Sequence, residues 1–183
     1  MRDPLRAYIA VPFLAALFFI AGCGYTTHSL LPPELKSIHV ENFENKIHIT
    51  EEQTDTRMYR GYKPGLEKDI TKETIDKFLF DGNLKVANDE SADLILKGEL
   101  VDYRKEALRY DRNDNVEEYR ILLVANIELI DTKTGKTMWS ETNFSGEATY
   151  RTSGSLAKGE SASIKDATQD LARRIVERTV EGW

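Results

Sequence analysis

The clearest alternation of apolar and polar positions lies in the second half of the chain. In "EYRILLVANIELI" (118–130), Tyr119, Ile121, Leu123, Ala125, Ile127 and Leu129 share one face. That two-residue period belongs to a strand with one side buried. "ADLILKGELVDYR" (92–104) and "TMWSETNFSGEATY" (137–150) read as strands on either side of it. The connections are turn clusters. "RNDN" (112–115) has Asn and Asp, which tolerate left-handed backbone and bond their own chain. "DTKTGK" (131–136) has Gly135, which accepts positive φ. The pattern predicts an antiparallel meander joined by two hairpins. Upstream, Ile38 and Val40 alternate with His39 and Glu41 and predict a short strand. Leu84 and Val86 suggest another, and the polar, unpatterned residues 44–63 read as a loop.

Two stretches change period. In 64–81, Leu66, Ile70, Phe78 and Leu79, with Ile75 beside them, predict one apolar stripe on a helix. Pro64 suits its first turn, and Gly82 suits the position just past its end. Near the C-terminus, Ile164, Ala167, Leu171, Ile175 and Thr179 recur at helical spacing, widened by Ala172 and Val176. Ser163 with Asp166 three residues on resembles a capping box. Arg173, Arg174 and Arg178 lie towards the end where the helix dipole favours cations. Two one-faced helices and a one-faced meander bury their apolar surfaces most simply as an α+β two-layer sandwich. The expectation is two helices packed on one face of a mostly antiparallel four-stranded sheet, in a single domain over 36–183. The other sheet face, with Leu122, Val124 and Ile130, is more apolar than solvent requires; local packing and a docking surface both account for it.

The N-terminus follows a different logic. "MRDPLR" is net positive, and the uncharged "AYIAVPFLAALFFIAG" after it is too short to span a bilayer comfortably. It ends at Cys23, the only cysteine in the chain. Ile20-Ala21-Gly22-Cys23 resembles a bacterial lipobox. That resemblance implies removal of residues 1–22, diacylglycerol on the Cys23 sulfur and an acyl chain on its new amine. Several acyl chains anchor a protein where one would not. Residues 23–35, stiffened by Pro32-Pro33, then form a lipidated tether. Gly24 in place of Asp favours the periplasmic face of the outer membrane.

Charge narrows the class. The 183 residues carry 25 Lys and Arg against 31 Asp and Glu. Removing Arg2, Arg6 and Asp3 leaves 23 against 30, a deeper negative balance that argues against a nucleic-acid partner. His28, His39 and His48 stand at no metal-ligand spacing, and no nucleophile elbow, phosphate loop or dinucleotide fingerprint is present. The expectation is a binding or assembly protein, not an enzyme, with no cofactor or metal beyond the covalent lipid.

In its order of motifs the chain resembles the LptE-type lipopolysaccharide assembly lipoproteins. "CGY" stands at the lipid, and "LP" and "KSIHVENFEN" at the first strand. "VEEYRILLVANIELID" matches the central strand, and "SLAKGESASIKDATQDLARRIVERTV" the approach to the last helix. The resemblance implies a non-catalytic plug inside an LptD-type β-barrel that assists barrel assembly and delivers lipopolysaccharide to the outer leaflet. It also implies lipopolysaccharide contacts at Arg112 in "YDRNDN" and Lys158 in "SLAKGES", with Arg109, Lys133 and Lys136 as turn-region alternatives. An accessory lipoprotein of another secretion or envelope complex with the same small sandwich is the alternative.

Overall fold

The computed structural model describes residues 31–47, 54–55, 58–88 and 91–181. The expected signal sequence, Cys23 and most of the expected tether, with His28 and His48, lie outside the described residues. Strand β6 (Leu94–Tyr110) is the spine of the sheet. Strand β7 (Val116–Asp131) returns antiparallel along its whole length, and β8 (Lys136–Arg151) adds antiparallel to β7. Along the other edge of β6, β1 (Ser37–Val40) and then β2 (Glu44–Asn45) pair in parallel. β4 (Met58–Arg60), with β3 (Thr54–Asp55) outside it, pairs antiparallel. β5 (Lys85–Val86) lies parallel to β1. The sheet is therefore mixed but mostly antiparallel. The segment 44–63, expected to be a loop, contributes β2 to β4. Their pairing is long-range, Arg60 opposite Arg104 and Glu44 opposite Glu99, so local periodicity does not announce it.

Both helices, α1 (Leu66–Asp81) and α2 (Glu160–Glu181), cover the same face, giving the expected two layers. The inward row of β7 is as the alternation predicts: Ile121, Leu123, Ala125 and Leu129 are fully buried and Ile127 nearly so. Leu94, Leu96 and Leu100 point inward from β6, and a bulge between Leu100 and Asp102 shifts the phase so that Tyr103 does too. On β8 the extra residue of a second bulge is accommodated at Asn143, whose φ is 57°. At Gly146 the backbone of Leu171 comes so close that no side chain fits between α2 and β8.

The helices depart from their predicted stripes in instructive ways. Gly82 ends α1 in the left-handed conformation, its N–H donating to the Phe78 carbonyl at 3.0 Å, as its place past the helix suggests. Leu79, expected on the inner stripe, is 62 % exposed. Thr71 and Thr74 take the inner positions, with their hydroxyls donating to the carbonyls of Glu67 and Ile70. Nor does Ser163 cap α2. The helix starts three residues earlier, and the Ser163 hydroxyl is buried and donates to the Gly159 carbonyl. The remaining α2 stripe, Ile164 to Thr179, is buried as expected, and Val180 extends it.

On the helix-free face, Val124 is buried while Leu122 and Ile130 are half-buried. Around them runs a charged ladder: Arg104 between Asp102 (2.9 Å) and Glu106 (3.8 Å), and Arg120 between Glu106 (2.5 Å) and Glu147 (3.6 Å). A shallow polar depression of ≈ 310 Å³, edged by Glu41, Lys97, Glu99, Asn126 and Glu128, lies farther along this face.

Candidate functional site

The two long strands β6 and β7 carry the 111–115 turn away from the rest of the molecule. The Asp111 carboxylate builds this turn. It accepts the backbone N–H of Asn113 (2.7 Å) and of Asn115 (2.9 Å), and the Asn115 side-chain amide (3.1 Å). These bonds, the Asn115 amide first, hold its carboxyl below the usual range. Asp114 takes φ 61° to close the turn. Asp111 is thus committed to its own backbone, and no described side chain pairs with the exposed Arg112 between them.

The loop 152–159 is stitched to the same end of the sheet. The Thr152 hydroxyl donates to the Val116 carbonyl (2.8 Å), and the Lys158 N–H donates to the Arg151 carbonyl (3.0 Å). Lys158 ion-pairs with Asp166 on α2. Arg109 lies 3.5 Å from Glu118 and remains half-exposed. The fold therefore brings Arg109, Arg112, Arg151 and Lys158 to one end. Lys133 and Lys136 flank the other hairpin, at the opposite end, where Lys133 pairs with Asp93 at 2.6 Å.

Sequence reasoning missed the apolar part of this end. Leu108, Tyr110 and Leu156 are 46 %, 40 % and 70 % exposed. They are three of the five large apolar side chains exposed among the described residues, and all three flank the tip. The available signal was the loss of alternation after Tyr103 in β6, where "KEALRY" mixes charge and apolar positions without a period.

Beneath the tip lies a hub that fixes it. Glu160, the first residue of α2, bonds Lys105 and Lys63, each at 2.9 Å, and accepts the Tyr103 hydroxyl at 3.3 Å. Burial works to raise the Glu160 carboxyl, but Lys105 and Lys63 outweigh it and hold it below the ordinary value. The Lys105 ammonium sits 5.2 Å from the Tyr119 ring and 5.8 Å from the Tyr59 ring. Tyr119 stacks on Tyr150 at 5.5 Å, and Tyr59 meets Tyr103 edge-on at 6.3 Å. Burial, then the Glu160 charge, raises the Tyr103 hydroxyl; the same causes push Tyr150 up to about 12. Tyr103 and Tyr150 are thereby held neutral, and the four rings form a structural joint between β4, β6, β7, β8 and the start of α2. Among the described residues no group of acidic, His or Cys side chains is placed to hold a metal ion. No described helix is long and apolar enough to cross a membrane.

A mixed sheet under two helices, with a long hairpin ending in exposed cations and apolar side chains, defines a small α+β two-layer domain. The comparisons agree. The LptE lipopolysaccharide-assembly model matches residues 35–179, and the chain belongs to that family, which is non-catalytic. No curated protein matches the chain in sequence. Among solved structures, a Xanthomonas campestris protein of the DUF330 family is similar at 12 % identity, with TM-score 0.51 over 85 % of this chain and 91 % of that one. A minor lipoprotein of Acinetobacter baumannii gives 16 % identity and TM-score 0.49 over 80 % and 93 %. Rare lipoprotein B of Shewanella oneidensis gives 13 % and 0.44 over 77 % and 92 %. At 12 % identity the likeness to the Xanthomonas campestris protein is one of fold.

Proposed function

We propose that this chain is a lipid-anchored outer-membrane protein, held through Cys23, that plugs and helps assemble an LptD-type barrel and passes lipopolysaccharide to the outer leaflet. Family membership supports the assembly role. The observation that carries the finer reading is the separation of the two ends of the sheet. The tether enters beside the start of β6, where Ile38 pairs with Leu94. The basic and apolar tip lies at the other end of a 17-residue strand. At about 3.3 Å per residue, that is roughly 55 Å away. Lipid A presents phosphates beside acyl chains, and the tip presents Arg112 and Lys158 beside Leu108, Tyr110 and Leu156. Guanidinium and ammonium groups bind phosphate through charge-assisted hydrogen bonds.

The two cations differ in readiness. Arg112 has no side-chain partner among the described residues, whereas Lys158 must leave Asp166 to reach a ligand. Charge reversal at an exposed site costs about 1–2 kcal/mol of phosphate binding, five- to thirtyfold. Arg112→Asp is expected to show that loss in lipopolysaccharide binding with an unchanged melting temperature, and Lys158→Asp a smaller one. Unchanged binding in both removes the tip as the site. The larger claim is tested by capturing the lipidated protein from solubilised outer membranes and identifying its partners by mass. A stoichiometric LptD-type barrel supports the plug; another envelope complex in its place assigns the chain to the alternative accessory role.

A further inference from the structure

The end of the fold opposite the tip carries its own exposed apolar pair. Leu79 and Phe80, in the last turn of α1, are 62 % and 84 % exposed, and the Lys77 ammonium lies 5.5 Å from the Phe80 ring centre. Nothing in the core needs them there, since Thr71, Thr74 and Phe78 fill the inner face of the helix. Their position relates them to the anchor. Phe80 precedes Lys85 by five residues, and the Lys85 N–H donates to the Lys36 carbonyl at 2.9 Å. The pair therefore sits beside the point where the N-terminal segment joins the sheet. Leu31, which packs on the core, follows Cys23 by eight residues. Fully extended, they reach at most about 28 Å. A lipid on Cys23 keeps this end of the domain close to the bilayer surface. A pair of apolar side chains with a lysine beside the ring suits the boundary between headgroups and acyl chains, particularly where some lipids are anionic.

We infer that Leu79 and Phe80, with Lys77, form a second membrane contact: they insert into the headgroup boundary of the leaflet that holds the anchor. The inference rests on the lipoprotein reading of Cys23, and its test separates the two. Cys23 is the only thiol in the chain, so the mature chain can be coupled there to a single synthetic acyl chain, whatever happens to it in cells. One acyl chain binds membranes only marginally, which leaves a second contact visible. Partition is measured on vesicles of phosphatidylethanolamine with a minority of phosphatidylglycerol, for the wild type and for Leu79→Ser with Phe80→Ser. The expected result is about tenfold weaker partition of the double variant at an unchanged melting temperature. Lys77→Gln is expected to weaken binding less, and only at low salt. Equal partition of wild type and double variant overturns the inference. So does a change in the self-association of the acyl-free chain without a change in partition, which makes a second copy the occupant. Palmitate labelling of Cys23 in cells tests the anchor alone. Labelling with equal partition removes the patch and keeps the anchor; no labelling with tenfold weaker partition removes the anchor and keeps the patch.

Discussion

Replacing Gly146 by alanine sets two opposing effects against each other. In a strand interior, glycine costs roughly 0.5–1 kcal/mol relative to alanine, so by propensity the change stabilises. The structure predicts the opposite. A Cβ on Gly146 falls 2.6 Å from the Leu171 Cα and closer still to the Leu171 N and Cβ. The obstacle is helix backbone, not the end of a flexible side chain, so relief requires α2 to lift from β8. Overpacking of this kind costs about 1–3 kcal/mol, and the absence of a yielding atom puts the site at the upper end. The net expectation is a loss of about 1–2 kcal/mol. At about 2–4 °C per kcal/mol for a chain of this size, that lowers the melting temperature by about 5 °C. Gly146→Val is expected to lose more. Gly159→Ala is the control. Its Cβ meets nothing within 4 Å and its φ is not positive, so no close approach opposes the change; because Gly159 stands at the N-cap of α2, its carbonyl accepting the Ser163 N–H, the variant is expected to lose only about 0.5 kcal/mol. Thermal and urea unfolding of the mature chain checks both. A Gly146→Ala protein as stable as wild type, or a Gly159→Ala protein that loses as much, refutes the close-approach argument.

Glu160→Gln is expected to cost about 1 kcal/mol at neutral pH by loosening Lys63 and Lys105. The folded carboxyl is held below its ordinary value, so its contribution is present above about pH 4.5 and fades as pH falls through the lower folded value. Stability curves of wild type and variant should converge in acid, and parallel curves sink the argument. Asp93 accepts the N–H groups of Lys36 (3.0 Å) and Ser37 (3.1 Å) and the Ser37 hydroxyl (2.9 Å). Lys133 first, then these donors, holds its carboxyl well below the ordinary value. Asp93→Asn is expected to cost about 1–3 kcal/mol at neutral pH and to flatten the loss of stability below about pH 4. For buried Thr74, Thr74→Ser should cost about 1 kcal/mol, the value of one buried methyl group, and Thr74→Val less than that. Thr74→Val costing more than Thr74→Ser in urea unfolding would show that the hydroxyl, not the methyl, matters at this position.

The Thr74 comparison bears on why the fold was only partly legible. Where burial is carried by Leu, Ile and Val at a single period, as in β7 and in α2 from Ile164 onward, the elements read directly from the chain. In α1 the period was read through Leu79, which faces out, because Thr71 and Thr74 do the packing. A threonine or serine that donates to the carbonyl four residues back has no unsatisfied donor and buries its methyl or methylene. Polar-apolar patterns score it as surface. Ser163 misled in the same way: its hydroxyl read as a cap and is instead a buried back-bonding group. Arg112 and Lys158 were placed by resemblance, and their meeting at one end depends on β8 bringing residue 151 back to residue 118, a register no local signal sets. The apolar half of the tip was invisible for a simpler reason. An exposed leucine and a buried one look alike in a sequence.

The free edge of β8 constrains how a barrel could hold this molecule. A 16-residue edge strand ordinarily invites another strand to pair with it. Here α2 leans over it: Asp170 accepts the Glu147 N–H at 3.0 Å, and Arg174 donates to the Ser145 carbonyl. Arg178 bonds Glu141 at 3.0 Å, and the Lys158 N–H covers the Arg151 carbonyl. The backbone groups a barrel strand would need are occupied at 145, 147 and 151. Gly146 is what allows α2 close enough to occupy them. In the proposed complex, contacts to the lumen wall along 145–151 then fall to side chains. The helix-free face supplies a suitable set, the Arg104 and Arg120 ladder with Leu122 and Ile130, since lumens of outer-membrane barrels are polar. A plug held by side chains can seat without exchanging strands with its barrel, and so keep its own sheet intact while the barrel assembles around it.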